Sequence, residues 1–151
     1  MTNAARGYAQ FIDIDQPPGR VFLAFTRKEL LERWIALEAS VDARRGGSLR
    51  LKLRDGRVRD AVIDVYEPDR RLRLIYMPDR SLPSTPGSGP LIEDVLFDAK
   101  RSHTVVRVMA SGVPEGPQWD AHVAWLRQAW AYWLHSLKRF VEAPPAPAAG
   151  A

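Results

Sequence analysis

From Pro117 to Glu142 the chain runs without an internal proline or glycine and carries four of its five tryptophans. Advancing by ~100° per residue, Val123, Leu126, Trp130, Trp133, Leu134, Leu137, Phe140 and Val141 fall within about 60° of one line with Trp119. Asp120, Arg127, Gln128, Lys138, Arg139 and Glu142 fall opposite. The periodicity predicts a long one-sided helix over 117–142, and so broad an apolar stripe needs a broad surface to cover it. Two readings of the stripe stand. One is plain core packing on a sheet. The other follows from shape: rigid indoles pack poorly on a strongly curved sheet, and a filled interior favours Leu, Ile and Val, so gaps beneath the rings would make a container. On the second reading Trp130→Ala keeps the fold and loses a ligand.

The rest of the chain supplies the sheet. YAQFIDID at 8–15 alternates as a strand and stops at Pro17-Pro18, which block further ladder pairing and open a helix. RVFLAF and KELLERWI then space apolar residues helically (Val21, Phe22 and Phe25; Leu30, Leu31 and Trp34), with Thr26 as an N-cap between two short helices. A strand over 39–45 and a Gly46-Gly47 turn precede SLRLKLRDGRVRDAVIDVY, in which Leu49, Leu51 and Leu53 alternate with Arg50, Lys52 and Arg54. Asp55-Gly56 reads as a two-residue hairpin turn. That register sets Leu53 opposite Val58 and Leu51 opposite Asp60, and turns Asp60 and Asp64 inward; a bulge near Asp60 would turn Ala61, Ile63 and Val65 inward instead. Strands follow at 71–76 (Leu72, Leu74 and Tyr76 inward), 91–98 (Val95 and Phe97 inward) and 103–111 (Val106, Val108 and Ala110 inward). Between them, PDRSLPSTPGSGP at 78–90 is too broken by proline and glycine for regular structure and reads as a mobile loop over the cavity mouth.

Composition narrows the class. Apolar and charged fractions of 46% and 26% are those of a globular protein, and no apolar run is long enough to cross a bilayer. The length suits one domain over 1–142, with a Pro/Ala tail over 143–151 that has a disordered composition. Asp13 and Asp15 interrupt any secretory pattern, and the absence of cysteine excludes disulfides, thiolate metal sites and a cysteine nucleophile; the expected location is the cytoplasm.

The order strand, two short helices, six strands and long C-terminal helix over 8–142 resembles the α+β helix-grip, or START-like, superfamily. More narrowly, PPGRVFLAFTRKELLERW at 17–34, GGSLRLKLRDG at 46–56, DVYEPDRRLRLIY at 64–76 and WLHSLKRFVE at 133–142 are similar to the family named for the activator of the heat-shock chaperone ATPase. The resemblance implies a curved antiparallel sheet of about seven strands wrapped around the C-terminal helix. It also implies a hydrophobic cavity facing Trp119, Val123, Leu126, Trp130 and Trp133. Two features depart from the family's pattern: the 78–90 segment is longer, and the additional N-terminal domain of the eukaryotic activators has no room in the chain.

The function expected on these grounds is binding of a small apolar or amphipathic molecule by Trp34, Leu51, Asp60, Tyr76, Phe97, Val108, Trp119, Val123, Leu126, Trp130 and Trp133. A chaperone-partner role and a cyclase or hydrolase role for the same cavity are the alternatives. No nucleophile elbow, phosphate loop, dinucleotide fingerprint or zinc-protease motif occurs, and no cofactor or metal is expected, because His103, His122 and His135 are scattered. His122, at the stripe's edge, can do acid–base work only if Asp60, Asp64, Tyr76 or Arg107 comes beside it. Seven cations between Arg44 and Arg59 alternate with leucines, without aromatics for base stacking, so they read as a solvated hairpin face and not a nucleic-acid site. Trp125 and Tyr132, seven apart on the helix flank, are either rings lying along their own helix or a homodimer face.

Overall fold

In the computed structural model, residues 6–78, 82 and 90–144 are described. Most of the 78–90 loop and the tail beyond 144 lie outside the described residues. The chain runs β1 (Arg6–Ile14), α1 (Pro18–Thr26), α2 (Lys28–Trp34), β2 (Ala36–Val41), β3 (Ser48–Leu53), β4 (Val58–Glu67), β5 (Arg71–Tyr76), β6 (Ile92–Ala99), β7 (Thr104–Val113) and α3 (Pro117–Glu142). The strands form one antiparallel sheet in the order β1-β7-β6-β5-β4-β3-β2. Apolar alternation puts Leu49, Leu51, Leu53, Ala61, Ile63, Leu72, Leu74, Val95, Phe97, Val106 and Val108 on the face that meets the helices. Each is buried, as period-two geometry demands of a sheet with one wet side.

Pro18 occupies the first helical position of α1, where its missing N–H costs nothing. Thr26 does not cap α2. It ends α1, its hydroxyl donating back to the Phe22 carbonyl at 3.1 Å, while Arg27 takes the N-cap position without a side-chain bond. The strand expected over 39–45 starts earlier, at Ala36, because Ile35 and Ala36 are buried where α2 ends. Glu32 ties α2 to that strand: its carboxylate accepts from the Ala39 N–H at 3.0 Å and from Lys28 Nζ at 2.8 Å.

The β3–β4 hairpin corrects the expected register. The Leu53 N–H donates to the Arg57 carbonyl at 2.7 Å, so three residues, Arg54 to Gly56, make the loop, with Gly56 at φ +91°. The extra residue pairs Leu51 with Arg59 and Leu49 with Ala61. Asp60 therefore points outward, 3.8 Å from Arg50, and Asp64 lies beside Arg73 on the same outer face. Ala61 and Ile63 turn inward, as in the alternative reading, but the turn length causes it and not a bulge near Asp60; the irregularity in β4 lies between Ile63 and Val65.

Between β2 and β3 the Gly46 N–H donates to the Ile63 carbonyl at 2.7 Å and the Gly47 carbonyl accepts from the Ile63 N–H at 2.8 Å. A Cβ on Gly47 would stand 1.9 Å from the Asp42 carbonyl oxygen. Gly47→Ala is thus expected to cost more than about 1 kcal/mol, read as a lower urea midpoint at unchanged slope.

Candidate functional site

Glu93 decides what the interior is. On β6 it shares parity with Val95 and Phe97, so the pleat aims its carboxylate at α3, and no part of it reaches solvent. Such burial is tolerated only where partners replace water. Arg59, on the inward face of β4, supplies a two-pronged ion pair, Nη1 to Oε1 at 3.2 Å and Nη2 to Oε2 at 2.9 Å. Tyr8 donates to Oε2 and Tyr76 to Oε1, each at 2.7 Å, and the Trp130 indole N–H donates to Oε2 at 2.8 Å. Five donors from β1, β4, β5 and α3 thus converge on one carboxylate. The guanidinium also lies over the Tyr76 ring, 4.1 Å from its centroid, and 5.7 Å from the Trp133 ring centroid.

Burial pushes the Glu93 carboxyl up, but the Arg59 charge and the bonds from Arg59, Tyr8 and Tyr76 outweigh it and hold the group below its ordinary value. Burial and the Glu93 charge raise the Tyr8 phenol far above its normal range, and burial raises that of Tyr76. Both phenols remain protonated donors. Burial opposes the charge on Arg59, but the Glu93 charge, its hydrogen bond and the nearby Tyr76 and Tyr8 together outweigh it, so Arg59 stays charged.

The space under the tryptophans is correspondingly small. Between Trp130, Arg59, Tyr76, Leu51, Leu74 and Trp34 the free volume is about 20 Å³, room for one water molecule. Trp130 is wedged among neighbours and hydrogen-bonded, so the expectation that Trp130→Ala spares the fold is withdrawn. The larger space lies on the flank of α3. A groove of about 320 Å³ opens between α3, the end of α2 and the β3–β4 hairpin, walled by Trp34, Trp125, Tyr132 and Trp133, floored by Ile35 and Leu53, and rimmed by Arg54, Asp55 and Gln128. Trp34 is held by its indole N–H, 2.8 Å from the Ala24 carbonyl, and by edge contact with Phe25. Trp125 and Trp133 meet nearly at right angles, 86° with centroids 5.9 Å apart.

The residues expected to bind a ligand therefore separate. Trp34 and Trp133 line the groove, whereas Trp34, Leu51, Tyr76 and Trp130 surround the one-water gap. Phe97 packs edge-on against Phe22 and Phe25, and Val108, Val123 and Leu126 are core residues. Trp119 is half-buried near the start of α3, against His122. Asp60, on the outer face, is no part of an internal site. The acid–base pairing fails with it: Asp64 and Arg107 also face outward, Arg107 bound to Asp98 at 2.9 Å, Tyr76 is engaged by Glu93, and His122 stacks on Trp125. Among the described residues no cluster of three metal-ligating side chains occurs.

Sequence reasoning passed over Arg59, Glu93 and Tyr8, and also Arg54, Asp55, Gln128 and Ala129. For Glu93 the signal was its parity, since Leu91, Glu93, Val95 and Phe97 alternate with Ile92, Asp94 and Leu96. For the groove residues no periodic signal exists, because a groove between three elements appears only when they are packed.

A curved sheet gripping a long C-terminal helix, with two short helices after the first strand, defines the helix-grip class. Residues 15–142 match the model of the Activator of Hsp90 ATPase homolog 1-like protein family, and the chain belongs to that family. Among solved structures, a Mesorhizobium loti protein superposes with TM-score 0.77 at 18% identity over 91% of this chain and 97% of its own. The Aha1 dimer of Colwellia psychrerythraea gives 0.76 at 20% over 91% and 96%. CalU16 from Micromonospora echinospora gives 0.70 at 22% over 91% and 77%. Among curated proteins no match is found. No helix among the described residues is long and apolar enough to cross a membrane.

Proposed function

We propose that this domain binds a small, mainly apolar molecule in the flank groove. The observation that carries the reading is a space of about 320 Å³ walled by four aromatic rings that no side chain among the described residues fills, a size at the lower end of small-molecule sites. The walls are pre-formed: Trp34 and Trp133 are buried and fixed by their neighbours, so little ordering opposes binding. The neutral fluorophore N-phenyl-1-naphthylamine tests it. Wild type is expected to bind it with a blue-shifted emission and quenched tryptophan fluorescence. Ala129→Trp, which fills the groove, is expected to abolish binding at least tenfold while leaving the urea midpoint near that of wild type. Equal binding by both proteins would place the probe elsewhere and reject the site.

The same aromatic face supports a second reading as a protein-docking surface. Tyr132 is 62% exposed beside the half-buried Trp125, the family is described by a chaperone-ATPase activator, and one structural neighbour is an Aha1 dimer. On that reading Tyr132→Ala weakens self-association or chaperone binding, measured by sedimentation and by titration with the purified chaperone.

A further inference from the structure

We infer that the groove selects molecules with a flat aromatic body and one anionic group, an inference that rests on the small-molecule reading above. Its walls favour flatness. Trp125 and Trp133 form a right-angled corner, Trp34 and Tyr132 complete the enclosure, and a ring placed there meets faces and edges in the offset or edge-on geometries that aromatic pairs prefer.

The charge of the rim sets the second requirement. Two ionised side chains line the mouth, Arg54 and Asp55, and Arg57 stands behind Asp55. Asp55 is already engaged by Arg57, accepting from its backbone N–H at 3.0 Å and lying 3.4 Å from its Nε. The Arg57 guanidinium in turn lies 4.0 Å from the centroid of the Trp125 ring, and so is held against a groove wall by a cation–π contact. Arg54 lines the groove and makes no hydrogen bond or ion pair among the described residues. With the Asp55 charge offset by Arg57, the uncompensated charge at the mouth is the Arg54 guanidinium, whose donors are unused among the described residues. Gln128 and the Tyr132 hydroxyl add neutral polar groups, and the floor has no charge, since Ile35 and Leu53 form it. A molecule seated with its body in the corner would carry its acidic group out to Arg54. Because the rim is solvated, the electrostatic gain is modest and sensitive to salt.

Two probes that share one body decide the matter. N-Phenyl-1-naphthylamine is neutral, and 1-anilinonaphthalene-8-sulfonate is the same ring system with one sulfonate. At low salt, wild type is expected to bind the sulfonate about three- to fivefold more tightly than the neutral compound. Arg54→Glu, an exposed change that leaves the fold intact, is expected to erase that preference without weakening the neutral probe, and 0.5 M salt is expected to do the same. Ala129→Trp is expected to lose both probes. Equal or tighter binding of the neutral probe by wild type would overturn the anion preference while leaving the groove in place. Loss of neither probe in Ala129→Trp would overturn the groove itself. Sedimentation showing a dimer that dissociates as probe binds would assign the surface to a second copy of the chain and overturn the inference as well.

Discussion

Glu93→Ala is expected to lower the free energy of unfolding by about 3–5 kcal/mol, because it leaves the Arg59 guanidinium buried and uncompensated and deprives Tyr8, Tyr76 and the Trp130 indole of their acceptor. Urea denaturation followed by tryptophan fluorescence measures it. Part of the loss is the stranded charge, so the double variant Glu93→Leu/Arg59→Met is expected to recover that part and to stay below wild type, because Tyr8, Tyr76 and the Trp130 indole still lack an acceptor. A double variant as unstable as the single would show instead that the cluster's geometry, and not charge balance, holds the sheet to the helix. The pH dependence has a definite sign. The folded carboxyl titrates below its ordinary value of 4.5, so the ion pair's contribution is fully present above that pH and is lost as pH falls through the lower, folded value. Wild type is expected to lose stability with acid below about pH 4.5. The double variant is expected to lack that part of the acid dependence.

Trp130→Ala carries the second large effect, again about 3–5 kcal/mol, since the ring is 2% exposed and its removal opens a cavity in a packed interior. Trp130→Phe keeps most of the volume and removes the N–H to Glu93, and it is expected to cost about 1–3 kcal/mol. Trp125→Ala, by contrast, removes a half-buried groove wall and should change the melting curve little while weakening probe binding. The ranking Trp130 above Trp125 in stability, and Trp125 above Trp130→Phe in binding, distinguishes a structural ring from a ligand-facing one on the same helix.

The contrast explains what the sequence could convey. The α3 stripe was legible because helical spacing alone separates Leu126, Trp130 and Leu137 from Arg127 and Arg139, and the β5 bounds followed from the alternation of Leu72, Leu74 and Tyr76. The β3–β4 register was not, because Asp-Gly serves both two- and three-residue loops and one added residue moves Asp60 to the wet face and Arg59 to the dry one. The interior was misjudged for a related reason. The indole stripe suggested a hollow, but Arg59, read as part of a solvated hairpin face, and Glu93, for which no role was expected, fill it, and their pairing spans 34 residues of chain that no local pattern connects. The groove lies where α2, α3 and the hairpin meet, a geometry that depends on that same corrected turn.

Glu32, fastened to the Ala39 amide, has an implication for how the molecule behaves among its own kind. β2 is the outermost strand on its side of the sheet, and an unpaired backbone donor there invites a neighbouring chain to extend the ladder. With that donor occupied by a carboxylate and Lys28 standing over it, the rim offers no uninterrupted template. Crowded copies are thereby discouraged from stitching their sheets together along this border.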